Sequence, residues 1–166
     1  DNGGFYFTSD EQEALIHRPK PQADESMPAG NGVAALSLAR LGCLLGETRY
    51  LEAAENTIRS AWGAITEMPA AHCSLLNALE EVLHPTGIVV IRGDREAMES
   101  WHETAMLMYA PTRLCYAIPA DEPGLPEGLA NKKPSESVVA YYCNGSVCGP
   151  PLTSLSELTS ALRESA

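Results

Sequence analysis

The sequence predicts an α+β fold: antiparallel helical hairpins followed by a small three-stranded α/β unit. Two observations carry this. Between residues 33 and 83 apolar side chains recur at helical spacing in three successive segments with short connections, the pattern of antiparallel helices. At Gly87 the pattern changes to the β-branched run GIVVI, and a strand, helix, strand order follows, which calls for a parallel crossover. The change of character divides the chain into a helical part, 1–85, and an α/β part, 86–166.

Taken in order, Gly4 to Thr8 is an aromatic, strand-like run, and Ser9 with Gln12 three residues on resembles a capping box opening one or two helical turns. Residues 18–28 hold three prolines and many polar groups, and are expected to form an ordered loop. Val33 to Leu45 is apolar nearly all round, with Leu36, Leu38, Leu41, Leu44 and Leu45, as befits a helix buried on most faces, and Gly46 ends it. Thr48 is placed to cap a second helix with Leu51, Ala54, Ile58, Ala61 and Ile65 inward. Pro69 suits the first turn of a third, with Leu75, Leu76, Leu79, Val82 and Leu83 inward and Pro85 ending it.

In the second half, Asp94 can cap a helix whose Met98, Trp101, Ala105 and Met108 form one stripe, and a strand is expected at Arg113 to Ile118. A Pro- and Gly-rich loop follows, then a third strand from Ser137 to Cys143. Ser154 and Glu157 form a capping box for a last helix that presents Leu155, Leu158 and Leu162.

Charge narrows the classes of partner. The chain of 166 residues carries 22 Asp plus Glu against 11 Lys plus Arg, a formal charge of −11. Nucleic acid and anionic membranes both require a cationic footprint, so neither is expected as a partner. The longest apolar stretches fall far short of the ~20 residues of a spanning helix, and a cytoplasmic location is expected. Five cysteines at irregular spacing do not form a secreted disulfide framework. The start, DNGGFYFTSD, has no initiating Met and no leader, and reads as a cut point inside a longer protein.

Among chemical motifs, Cys143 and Cys148 enclose four residues rather than the two of an efficient dithiol, and no helix begins beside them. Three readings stay open: thiols at a turn, which Asn144-Gly145 favours, a reversible disulfide, or half of a metal clip completed by His84 and Cys115. No metal site is expected, because neither candidate has a paired spacing. GIVVIRGDRE lacks both nucleotide-binding glycine patterns, so no cofactor is expected. PAGNG is a Gly-rich helix start whose N–H groups could meet an anion or a sugar hydroxyl. The four histidines are scattered and no catalytic residue is assigned. The segment EALIHRPKPQADESMPAGN gathers Glu13, Arg18, Lys20, Asp24 and Asn31 in one loop between a strand and a buried helix, where ligand-binding groups commonly sit.

That same segment, read from GGFYFTSDE to GNGVAALSLARL, resembles the closing part of the YyaL and spermatogenesis-associated thioredoxin-domain family. There GGF, E-x-L, R-x-K, Asp and P-[SA]-G-N precede a helix rich in Ala and Leu. AYYCNGSVCGPP resembles the family's C-x-x-x-x-C-x-x-P ending. Glu25 and Ser26 depart from it, standing where Gly and Ala follow the Asp. The resemblance implies a protein with an upstream thioredoxin-like domain and an (α/α)6 barrel of the six-hairpin glycosidase and epimerase kind, of which this chain is the last helices plus a C-terminal unit. It implies a role in carbohydrate binding or modification, with an inactive fragment on its own. Arg18 and Lys20 would be donors to an anion or hydroxyl, Asp24 an acceptor and Asn31 a further pocket residue, with a sugar or small polar ligand, the upstream domains of the same chain, and self-association as partners. Two alternatives belong to other classes: a non-enzymatic interaction module, and a thiol-redox protein in which Cys143 and Cys148 serve the upstream domain.

Overall fold

A computed structural model describes residues 3–11 and 16–164. The chain divides into two compact units, Asp1–Gly42 with Glu47–His84, and Cys43–Gly46 with Pro85–Ala166. Helices and a four-stranded mixed sheet together make an α+β protein.

The first unit holds α1 (Gly30–Leu45, without its last turn), α2 (Thr48–Ser60), α3 (Trp62–Glu67), a single 3-10 turn (Pro69–Ala71) and α4 (Cys73–Leu83). The second helix expected from the sequence is thus two: hydrogen bonding is interrupted at Ala61, and α3 restarts the chain with Ile65 still inward. Pro69 opens the 3-10 turn rather than α4 itself, and Thr48 is the first residue of α2, not its cap. The core gathers Ala35, Ala39, Ala54, Ile58, Ala61, Ile65, Leu75 and Ala78.

The face that α1 buries differs from the expected one. Its buried positions are Asn31, Gly32, Ala35, Ala39 and Gly42, a stripe of small residues, whereas Leu41 is 41% exposed and Val33 50%. Small side chains let helices approach closely: a Cβ on Gly32 would lie 2.6 Å from Ser74 Cβ, and one on Gly42 would meet the Leu51 side chain. Leu83, expected inward on α4, is also exposed, while Glu81 is buried and held by Arg40 of α1 at 2.9 Å.

No strand forms at 4–8, contrary to expectation. The reason is visible in the hydrogen bonding. An extended segment needs partners for its backbone groups, and here side chains supply most of them: Lys20 Nζ donates to Gly3 O at 2.7 Å, Asn31 Nδ2 to Phe5 O at 3.0 Å, and Arg18 Nη2 to Thr8 O at 2.7 Å. The helical turns expected after Ser9 fall largely on residues 12–15, outside the described residues.

The second unit is built on β1 (Gly87–Gly93), α5 (Arg95–Leu107), β2 (Arg113–Pro119), α6 (Glu127–Ala130), β3 (Val139–Asn144), β4 (Val147–Cys148) and α7 (Leu155–Glu164). Sheet order is β2-β1-β3-β4, with β1 parallel to β2 and antiparallel to β3, and β3 antiparallel to β4. The parallel pair agrees with the expected crossover; the sheet has four strands rather than three, because the chain turns back after Asn144. Every residue of β1 is buried, as a central strand with both faces covered requires. Val89 and Ile91 meet Met98, Trp101 and Ala105 of α5 and Leu158 and Leu162 of α7, while Ile88 and Val90 lie with Leu129 of α6 and Cys143.

Both expected caps form. The Asp94 carboxylate accepts from Glu96 N and Ala97 N, and Ser154 and Glu157 make a reciprocal capping box, with Glu157 Oε2 also accepting from Thr153 N at 2.7 Å. These hydrogen bonds hold the Glu157 carboxyl below its ordinary value.

Candidate ligand site

Within the first unit, described residues between Phe5 and Asn31 border two depressions. The larger, about 590 Å3, is lined by the aromatic trio Phe5, Tyr6 and Phe7 on one side and by residues 25–31 on the other. The second, about 330 Å3, lies between the same stretch, α1 and α4, and is lined by Val33, Leu36, Cys73, Ser74 and Asn77 among others. Glu25, Ser26, Met27 and Pro28 line both, so this short segment is their common wall.

Of the loop residues singled out in the sequence, Glu13 lies outside the described residues, and the structure gives Arg18, Lys20, Asp24 and Asn31 each protein partners. Asp24 is the most heavily used. Its carboxylate accepts from Ala29 N at 2.7 Å, from Ser74 N at 2.8 Å and from Ser74 Oγ, while its own N–H donates to Ala71 O. Partial burial pushes the Asp24 carboxyl up, but the bonds from Ser74 and Ala29, with His72 nearby, outweigh it and hold the group below its ordinary value. Because α4 has no side-chain cap of its own, Asp24 serves as that cap from another part of the chain.

Asn31, only 3% exposed, pairs with Phe5 through both ends of its amide: Phe5 N donates to Oδ1 at 2.6 Å and Nδ2 donates to Phe5 O; Nδ2 also donates to Pro21 O at 2.7 Å. Arg18 and Lys20 hold backbone carbonyls and both lie against the Tyr6 ring, 4.3 and 4.4 Å from its centroid. These four residues therefore shape the loop. Asp24 and Asn31 each also line one of the cavities, beside a set to which the sequence reading gives no ligand role: Phe5, Tyr6, Phe7, Glu25, Ser26 and Met27. A signal for three of them stands in the sequence, in the consecutive aromatic run FYF after two glycines, which its strand-like pattern masks.

Other candidates resolve as follows. Cys143 and Cys148 face each other across the β3–β4 hairpin and are joined by a disulfide, with Cys143 buried and Cys148 exposed. The turn's central residues are Gly145 and Ser146, not Asn144 and Gly145; Gly145 takes φ +58, as a two-residue hairpin with glycine first requires. Cys43, Cys73 and Cys115 are not in a disulfide, and burial pushes the Cys115 thiol up to about 11. Among the described residues no group of His, Cys, Asp and Glu is arranged to hold a metal ion, and no helix is long and apolar enough to cross a membrane. His72 is buried with Nδ1 at 2.9 Å from Met68 O.

The fold and site define an α+β protein whose helical unit carries two adjoining ligand-sized depressions, the larger of them aromatic-walled, and whose sheet ends in a disulfide-closed hairpin. The chain is similar to spermatogenesis-associated protein 20 of Homo sapiens, 24% identical over 169 residues, a stretch that takes in 96% of this chain and 22% of the human protein. It therefore spans about a fifth of that relative's length. No family model matches.

Proposed function

We propose that this chain is the C-terminal part of a larger protein with a thioredoxin-like domain and an (α/α)6 barrel, and that its helical unit supplies part of a carbohydrate-binding pocket, without turnover of its own. The observation that carries this reading is the larger cavity, with Phe5, Tyr6 and Phe7 on one wall and Glu25 and Ser26 on another, adjoined by the smaller one across that second wall. Flat aromatic faces accept the apolar C–H face of a sugar ring, and a few convergent polar groups then fix its hydroxyls. Both volumes lie within the roughly 300–1,000 Å3 of small-molecule sites. In this reading Asp24, Asn31, Arg18 and Lys20 hold the wall in place rather than touch the ligand. Saturation-transfer NMR of the chain with mono- and disaccharides tests it: the sugar signal should fall sharply in Phe7→Ala, whose ring is 78% exposed. An unchanged signal in that variant would remove the aromatic wall from the site.

A second reading, thiol exchange with a thioredoxin-like domain, is favoured by the bridge itself, because the Cys148 side is exposed to an incoming thiolate while Cys143 is buried. Alkylation of the denatured protein should label Cys43, Cys73 and Cys115 without reductant and all five cysteines with it. Five labels in both samples would set the redox reading aside.

A further inference from the structure

We propose that Glu25 makes the site selective for ligands carrying a protonated amine; this rests on the carbohydrate-site reading above and names the ligand class. The argument begins with the charges around the cavities. Of the residues lining them, Asp24 and Glu25 are the acidic ones, and among the described residues no Lys, Arg or His lines either cavity. Asp24 is occupied by three donors, two from Ser74 and one from Ala29. Glu25 is exposed, and its side chain makes no hydrogen bond or ion pair with the described residues. A free carboxylate thus stands in the wall common to both cavities, reachable from either.

Its backbone is fixed although its side chain is not. Glu25 N donates to Met27 O at 3.1 Å, and the flanking Asp24 N and Ala29 N are both bonded, so the carboxylate projects from an ordered turn. Among the aromatic residues of the larger cavity, Phe5 and Phe7 are exposed and can meet a cation, while Tyr6 is already taken by Arg18 and Lys20. The chain's charge of −11 adds a long-range field of the same sign. A phosphorylated or carboxylated sugar would meet the Glu25 carboxylate with no cation among the lining residues to offset it, since Arg18 and Lys20 are engaged with Tyr6 and with backbone carbonyls. A ligand with an ammonium group beside hydroxyls would place the ammonium at Glu25, its hydroxyls on Ser26 and its carbon skeleton on Phe7 and Met27.

The test uses calorimetric titration of the chain, at slightly acidic pH, with glucosamine (a cation), N-acetylglucosamine (neutral), glucose 6-phosphate (an anion) and ethanolamine (an amine without a ring). Glucosamine should bind best and the phosphate worst. In Glu25→Gln the advantage of glucosamine over its neutral analogue should fall by about two- to fivefold, the size expected of one exposed charge pair. In Glu25→Lys the phosphate should become the better ligand. Both variants should unfold as the parent does, because the side chain holds no internal contact. Equal binding of glucosamine and N-acetylglucosamine, or no effect of Glu25→Gln, would overturn the role of Glu25 and leave the carbohydrate site standing. Binding of ethanolamine with no sugar bound would support Glu25 as a cation site and overturn the carbohydrate reading. No binding of any probe overturns both.

Discussion

Asp24 shows how one side chain can tie distant segments of a chain together. Its carboxylate joins the loop at Ala29, just before α1, to the first turn of α4 at Ser74, across 50 residues of sequence. Replacing it with Asn removes the charge and turns an N–H2 group toward donors that need an acceptor. The expected loss is about 1–2 kcal/mol, as for other helix caps and charge-assisted hydrogen bonds. The pH dependence gives a sharper signature. The carboxyl titrates below its ordinary value of 3.8 in the folded chain. Its contribution is therefore fully present above that value and is lost as pH falls through the lower folded one. Urea denaturation repeated from neutral pH downward should show this acid loss in the parent and a shallower one in Asp24→Asn; parallel curves would mean that Asp24 contributes nothing through its charge.

Helix α1 illustrates what a sequence discloses about an element and what it withholds. Its existence and its end at Gly46 were legible, since apolar residues and a glycine stop are local signals. Its buried face was not: hydropathy favours Leu36, Leu38 and Leu41, but the closest packing falls on Gly32, Ala35, Ala39 and Gly42, because the partner helix approaches where side chains are smallest. Only the positions of Ser74 and Leu51 in space decide this. The caps at Asp94 and Ser154 were legible because their partners lie two or three residues away, whereas the Asp24 cap and the Asn31 clasp on Phe5 act over 50 and 26 residues and leave no spacing to read. The same distance effect hid the aromatic wall, whose backbone is held by side chains of later residues in place of a strand. A test of the close approach follows. In an open helix Gly→Ala stabilises by about 1 kcal/mol, but at Gly32 the new methyl would sit 2.6 Å from Ser74 Cβ and 2.7 Å from its carbonyl carbon. Overpacking of this kind costs about 1–3 kcal/mol. Gly32→Ala should therefore lower the denaturation midpoint, while Gly63→Ala, with nothing within 4 Å of its new methyl, should not.

At the scale of the whole chain, each unit has a hydrophobic core of its own, one of helices and one around β1. The two tryptophans divide between them: Trp62 belongs to the helical unit and is 51% exposed, Trp101 belongs to the α/β unit and is 9% exposed. Burial decides their use as reporters, since Trp101 moves from an apolar core to water on unfolding and Trp62 changes its surroundings far less. In a Trp62→Phe background, tryptophan emission follows the α/β unit alone, while far-ultraviolet circular dichroism sums the helices of both. Gly32→Ala and Asp24→Asn weaken contacts confined to the helical unit. Cores that melt separately require the dichroism curve of these variants to broaden toward low urea while the Trp101 midpoint stays with that of the parent. A Trp101 midpoint displaced by the same amount as the dichroism would instead mean that α1, whose last residues Cys43–Gly46 group with the α/β unit, transmits the loss and makes the chain one cooperative block.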